Sequence, residues 1–126
     1  MANIDRAFVG IGLLWLVLGM FLGLHMGATA DNTYLQVHTV MLLGGFVVLT
    51  FYGAIYRLWP AMKDGALAKA QFWSAALASF TMVVGTIPPV MQRGVAVVAG
   101  GSVLAIAGAM LMLWIFWARS GDARSR

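Results

Sequence analysis

His25 and His38 are the two side chains in the long apolar stretches of this chain that titrate near neutral pH. An ionisable group at membrane depth is costly and marks a functional candidate, and neutral imidazole is the commonest metal ligand. His25 falls in the expected last turn of one apolar run. His38 lies one to two turns into the next, so at about 1.5 Å rise per residue the two sit at similar depth and are candidates to share one metal. The helical face of His38 continues through Met41, Leu42, Gly45 and Tyr52, so Gly45 would clear room for the edge of a flat ligand. His25 points about 160° from Gly23 around its helix, away from the glycines there. Each imidazole also has a purely structural reading: His25 reaching interfacial water, His38 bonded to a carbonyl or to a neighbour such as Gln36 or Thr39. Met20, Met26 and Met41 near the same edge would complete a soft ligand set suited to Cu(I). Nine methionines in so apolar a chain are, however, chiefly packing.

The elements that must position these residues follow from composition. The 126 residues are 62% hydrophobic and 10% charged, with mean hydropathy +0.90, far from the roughly half apolar and one quarter charged usage of soluble domains. Four apolar runs, 8–27, 35–58, 68–87 and 95–118, are each long enough to cross about 30 Å of hydrocarbon as a helix. The expectation is a single-domain, all-α integral membrane four-helix bundle with a short polar tail, 119–126. Continuous runs, with no alternation, argue against a spanning barrel. Short connections make sequential helices antiparallel neighbours, with Asp64 a candidate N-cap for the third helix and Pro88-Pro89 ending it.

Arg6, Arg57, Lys63, Lys69, Arg119, Arg124 and Arg126, seven of the eight basic residues, fall at the N-terminus, the second loop and the tail. By the positive-inside rule that side, with both termini, is cytoplasmic. The implied location is the inner (cytoplasmic) membrane, multi-pass, with Arg93 and Asp31 outside. The net charge of +4 then reflects orientation and contact with the lipid bilayer, and nucleic acid is not implied. Asp5, Asp31, Asp64 and Asp122 all lie outside the expected spans, leaving no carboxylate at the midplane to couple protons. The chain has no cysteine, which excludes thiolate metal sites and disulfide exchange. Ala28-Thr29-Ala30 looks like a signal-peptide cleavage site, but the preceding run is long for one and reads as an anchor.

Small residues recur at helical spacing: Gly12, Gly19, Gly23 and Gly27 in the first helix, Ser74 and Ala78 in the third, and Ala96, Gly100, Gly101 and Ala105 in the fourth. Such stripes let helices approach closely, within one bundle or between copies in a homo-oligomer; a flat ligand on the glycine floor is the alternative. Tyr34, Tyr56, Trp59, Trp73, Trp114 and Trp117 read as interfacial anchors, and Trp15, at mid-span, as packing.

The segment Val37-His38-Thr39-Val40-Met41-Leu42-Leu43-Gly44-Gly45-Phe46, continuing to Tyr52-Gly53-Ala54-Ile55-Tyr56-Arg57-Leu58-Trp59-Pro60, resembles the second helix of the catalytic subunit of haem-copper oxidases, particularly the nitric-oxide reductase branch. Gly19 to Gly27 with Asp31 is similar to the first helix and loop of small stand-alone relatives. The resemblance covers about the first seventy residues. It implies that His38 is an axial ligand of haem b. The second ligand would be His25, a histidine of another copy, or none, and Arg93 would meet a haem propionate on the outer side. The chain departs from the pattern at Val40, where small relatives often carry a second histidine, and at Gln71-Phe72-Trp73-Ser74-Ala75, which lacks their third-helix histidines. The later helices of the full subunit are missing too, so one chain cannot assemble an oxygen- or nitric-oxide-reducing centre. The expectation is therefore electron transfer with a respiratory-chain partner, or sensing of a gas such as NO or O2, neither of which requires catalysis. A cofactor-free structural or assembly subunit and a Cu(I)-binding membrane protein are the rival readings.

Overall fold

The computed structural model describes residues 2–121; Asp122, Arg124 and Arg126 of the expected tail lie outside the described residues. Four helices are long and apolar enough to cross a membrane: α1 (Ile4–Thr29), α2 (Leu35–Leu58), α3 (Ala66–Thr86) and α4 (Ala96–Arg119). No strand occurs among the described residues. The four match the four apolar runs, but α1 begins earlier than hydropathy suggests, which brings Asp5 into its first turn. Asp5 is buried rather than set outside the helix.

The connections carry the expected stop signals with one correction. Ile87 is extended, as the residue before a proline tends to be, and Pro88 then opens a single turn, Pro88–Met91, from its first position. Asp64 does not cap α3. The N-cap is Gly65, at φ 96°, with no side-chain cap bond. Glycine takes this backbone without steric cost, and the Arg119 guanidinium, which donates to the Asp64 carbonyl, packs where a Gly65 side chain would be.

The bundle is two hairpins. α1 packs chiefly on α2 and α3 chiefly on α4, and the pairs join through an aromatic hub. The Phe8 ring lies 5.6 Å from Tyr52, 5.9 Å from Tyr56 and 5.0 Å from Phe72, tying α1, α2 and α3 together at one end. Glycines set the closest approaches. A Cβ at Gly12 would meet Thr50 and the Phe46 carbonyl; at Gly85, the backbone of Val98; at Gly101, the backbone of Met82; at Gly108, that of Ala75. The stripes thus work mainly inside the bundle, while Gly27 and Gly100 face open space.

Residues Met41–Val47 of α2 are wound as a π-helix, a feature absent from the sequence expectation. The residues of α2 that meet α1 include His38, Met41, Leu42, Gly45, Phe46, Thr50 and Gly53. A π turn adds a residue to the helix, since its hydrogen bonds span five residues. The extra residue turns Tyr52 off the face of His38 and into a cleft of about 200 Å³ shared with Gly44, Val48, Ala75, Ala78, Ser79, Met82 and Ala105.

N-terminus, the loop between α2 and α3, and the end of α4 share one end of the bundle, as the Asp5–Lys63 pair and the Arg119–Asp64 contact require. The loop bearing Asp31 and the turn bearing Arg93 share the other. There Thr33 and Gln36 line one groove with Thr86, Pro88, Met91 and Gln92.

Candidate functional site

α2 carries His38 just ahead of its π segment and lays the half-buried imidazole across the glycine stripe of α1. Nδ1 is 2.8 Å from the Gly19 carbonyl oxygen. A carbonyl only accepts, so Nδ1 carries the proton, and in the neutral ring Nε2 keeps a lone pair. The ring edge occupies the notch at Gly23, where a Cβ would fall 2.8 Å from Cε1 and 3.5 Å from Nε2. Two glycines one turn apart therefore do separate things. Gly19 supplies the acceptor, and Gly23 supplies the space.

His25 does not join His38. It is exposed, and two residues beyond Gly23 its side chain leaves α1 about 160° from the notch holding the His38 ring. Its electrostatic neighbour is Asp31 on the loop between α1 and α2. Side-chain and backbone hydrogen bonds from Thr33 hold the Asp31 carboxyl below its usual range, and the charge of His25 adds to the lowering. One chain thus does not offer both imidazoles to a common iron.

Gly45 does not clear an open face. A Cβ there would lie 2.5 Å from Cγ of Trp15, because the indole fills that space. Trp15 is buried, donates from Nε1 to Ser79 Oγ at 3.1 Å, and packs on Phe80 with ring centroids 4.8 Å apart. The open glycine is its neighbour Gly44, where a Cβ would meet only Val40 at 3.7 Å. The π turn separates the two roles: Gly45 faces α1 and Gly44 the cleft toward α3 and α4.

Arg93 is exposed and shares a groove of about 470 Å³ with Pro89, Val90, Gly94, Ala96 and Val97, from the connection into α4 and its first turn. The methionines of the copper reading do not form a common site: Met26 is buried in the core, whereas Met20 is 61% exposed. Among the described residues, no group of three or more His, Cys, Asp or Glu could hold a metal ion.

A second polar cluster, unexpected from the sequence, lies at the opposite end. Lys63 donates to Asp5 Oδ1 at 2.9 Å and Arg57 to Oδ2 at 3.2 Å. Close by, the fully buried Tyr56 hydroxyl donates to Gln71 Oε1 at 3.2 Å, and Gln71 Nε2 donates to the Gly108 carbonyl at 3.4 Å. Tyr56 is thus a core residue rather than an interfacial anchor. The signal was available for Asp5: Ile4, Phe8, Gly12, Trp15 and Gly19 form one buried stripe at helical spacing, and it begins before the apolar run does. The Gln71 partnership had no comparable local sign.

The chemistry of the donor set is compatible with axial ligation by His38, since a ligating histidine almost always donates its other ring N–H to a carbonyl, carboxylate or water. The shape expected around it is not provided by this chain alone, because Trp15 fills the Gly45 notch. No protein-family model, no curated protein and no solved structure matches the chain.

Proposed function

We propose that the chain is a multi-pass protein of the cytoplasmic membrane, both termini cytoplasmic, that presents His38 as a haem b ligand toward a second copy or a membrane partner. The membrane part is supported by the outward faces of the helices, where Leu24 is 70% and Trp117 75% exposed among many other apolar side chains; such continuous apolar surface suits lipid. The orientation is supported by the basic residues gathered at one end.

One observation carries the haem reading: the 2.8 Å contact between His38 Nδ1 and the Gly19 carbonyl. It fixes the tautomer and ring orientation, leaving Nε2 as the coordinating atom. Bound haem would supply a redox-active iron or a gas site, tuned by its axial ligands. The residues of this chain hold and orient the imidazole through Gly19 and Gly23. The remaining wall, and any further ligand, would have to come from the partner, because His25 leaves α1 on another side. Electron transfer or sensing of NO or O2 follows from that arrangement.

The cofactor-free reading, a structural or assembly subunit, is favoured by the fit of the same ring into the Gly23 notch, which ties α1 to α2 with no ligand needed. The two readings part in the visible absorption spectrum of the purified full chain, oxidised and dithionite-reduced. A sharp reduced spectrum abolished by His38→Ala supports haem. A colourless protein, or full loading of the His38→Ala variant, leaves the structural reading.

A further inference from the structure

Where α1 and α2 meet at the end bearing Asp5, they leave a groove of about 540 Å³ lined by Asp5, Arg6, Val9, Gly10, Leu13, Gly53, Ala54 and Arg57. We propose that this groove is a binding site for one anionic phospholipid, its phosphodiester at Arg6 and Arg57 and an acyl chain along Val9, Gly10 and Leu13.

Three features specify the occupant. The mouth is cationic, since Arg6 and Arg57 both line it and the one carboxylate in its lining, that of Asp5, is already met by Lys63 and Arg57. Lys63, with a side chain only 15% exposed, meets that carboxylate at 2.9 Å. The Arg57 side chain is 76% exposed and commits one nitrogen to Asp5, leaving most of its five N–H donors for a phosphate. The Arg6 guanidinium has no ion pair among the described residues.

Below the mouth the lining turns apolar over about 12 Å of helix, from Asp5 to Leu13. Gly10 keeps this stretch open, since a Cβ there would meet nothing within 4 Å, whereas at Gly53 the helices touch and a Cβ would fall 2.7 Å from Val9. A cationic mouth over an apolar trough, at the end where the basic residues gather, matches the two halves of an anionic lipid. A zwitterionic headgroup brings its own cation to the arginines and gains less.

The inference rests on insertion in a bilayer but not on haem, so a carbonate-resistant membrane fraction checks its premise separately. The full chain, purified in mild detergent, is titrated with phosphatidylglycerol or with phosphatidylcholine of the same acyl chains, and retained lipid is read by native mass spectrometry. Phosphatidylglycerol should be retained about fivefold or more over phosphatidylcholine. Arg6→Gln combined with Arg57→Gln should remove that preference. Gly10→Leu, whose Cβ meets nothing within 4 Å, should put a side chain into the trough and lower retention of both lipids at unchanged melting temperature. Glycerophosphoglycerol, the headgroup phosphodiester without its acyl chains, should not compete. Equal retention of the two lipids by the unaltered protein, unchanged retention in Gly10→Leu, or effective competition by glycerophosphoglycerol would each overturn the proposal.

Discussion

The imidazole of His38 is held between two glycines of the neighbouring helix, with Nδ1 2.8 Å from the Gly19 carbonyl and Cε1 where the Gly23 side chain would begin. A ring so placed has little freedom to move, because both of its constraints lie on one helix face a single turn apart. Gly23→Leu should therefore force α1 and α2 apart and lower stability by about 1–3 kcal/mol, the usual cost of overpacking. Gly27→Leu, where a Cβ meets nothing within 4 Å, serves as the control. Thermal unfolding in detergent compares them, and equal melting temperatures would contradict the packing described.

Adjacent glycines in α2 should behave in opposite ways. Gly45→Ala places a methyl 2.5–2.8 Å from three atoms of the buried Trp15, whose ring is rigid and bonded to Ser79, so a loss of about 1–3 kcal/mol is expected. Gly44→Ala meets only Val40 at 3.7 Å and should be neutral or stabilising by up to about 1 kcal/mol through helix propensity. A reversed order would mean that α2 is wound as a regular α-helix through this segment.

The two cations on Asp5 should not contribute equally. Lys63 is nearly buried and Arg57 largely exposed. Lys63→Met, which strips the close donor from a buried carboxylate, should cost roughly 1–3 kcal/mol, whereas Arg57→Met should fall within about 0–1 kcal/mol, as surface pairs do. Denaturant or thermal titration of the two variants ranks them, and a larger loss for Arg57→Met would show that the exposed guanidinium carries the pair.

Orientation is open to direct labelling because the chain has no cysteine of its own. In intact cells a membrane-impermeant maleimide should modify Asp31→Cys and spare Asp64→Cys until the membrane is opened. The opposite pattern would reverse the assignment of both ends, and would place His38 in the cytoplasmic half.

Four long apolar helices were legible in the sequence, with seven of their eight ends within two residues of the change in hydropathy, as was the use of small residues at the contacts. These are local matters of length, composition and period. The sequence by itself did not determine that Asp5 turns inward, since a charge ahead of an apolar run looks solvated until Lys63 and Arg57 are brought to it from more than fifty residues away. Nor did it determine the fate of Gly45. A regular wheel gives Gly45 and Tyr52 one face, but the π turn at Met41–Val47 divides them, and only the arrival of Trp15 from α1 shows that the missing side chain admits an indole. The histidines divide in the same manner. Their equal depth was legible from helix rise, but their separation depends on which side of α1 receives α2, a choice made by glycine-scale fit between two helices rather than by either helix alone.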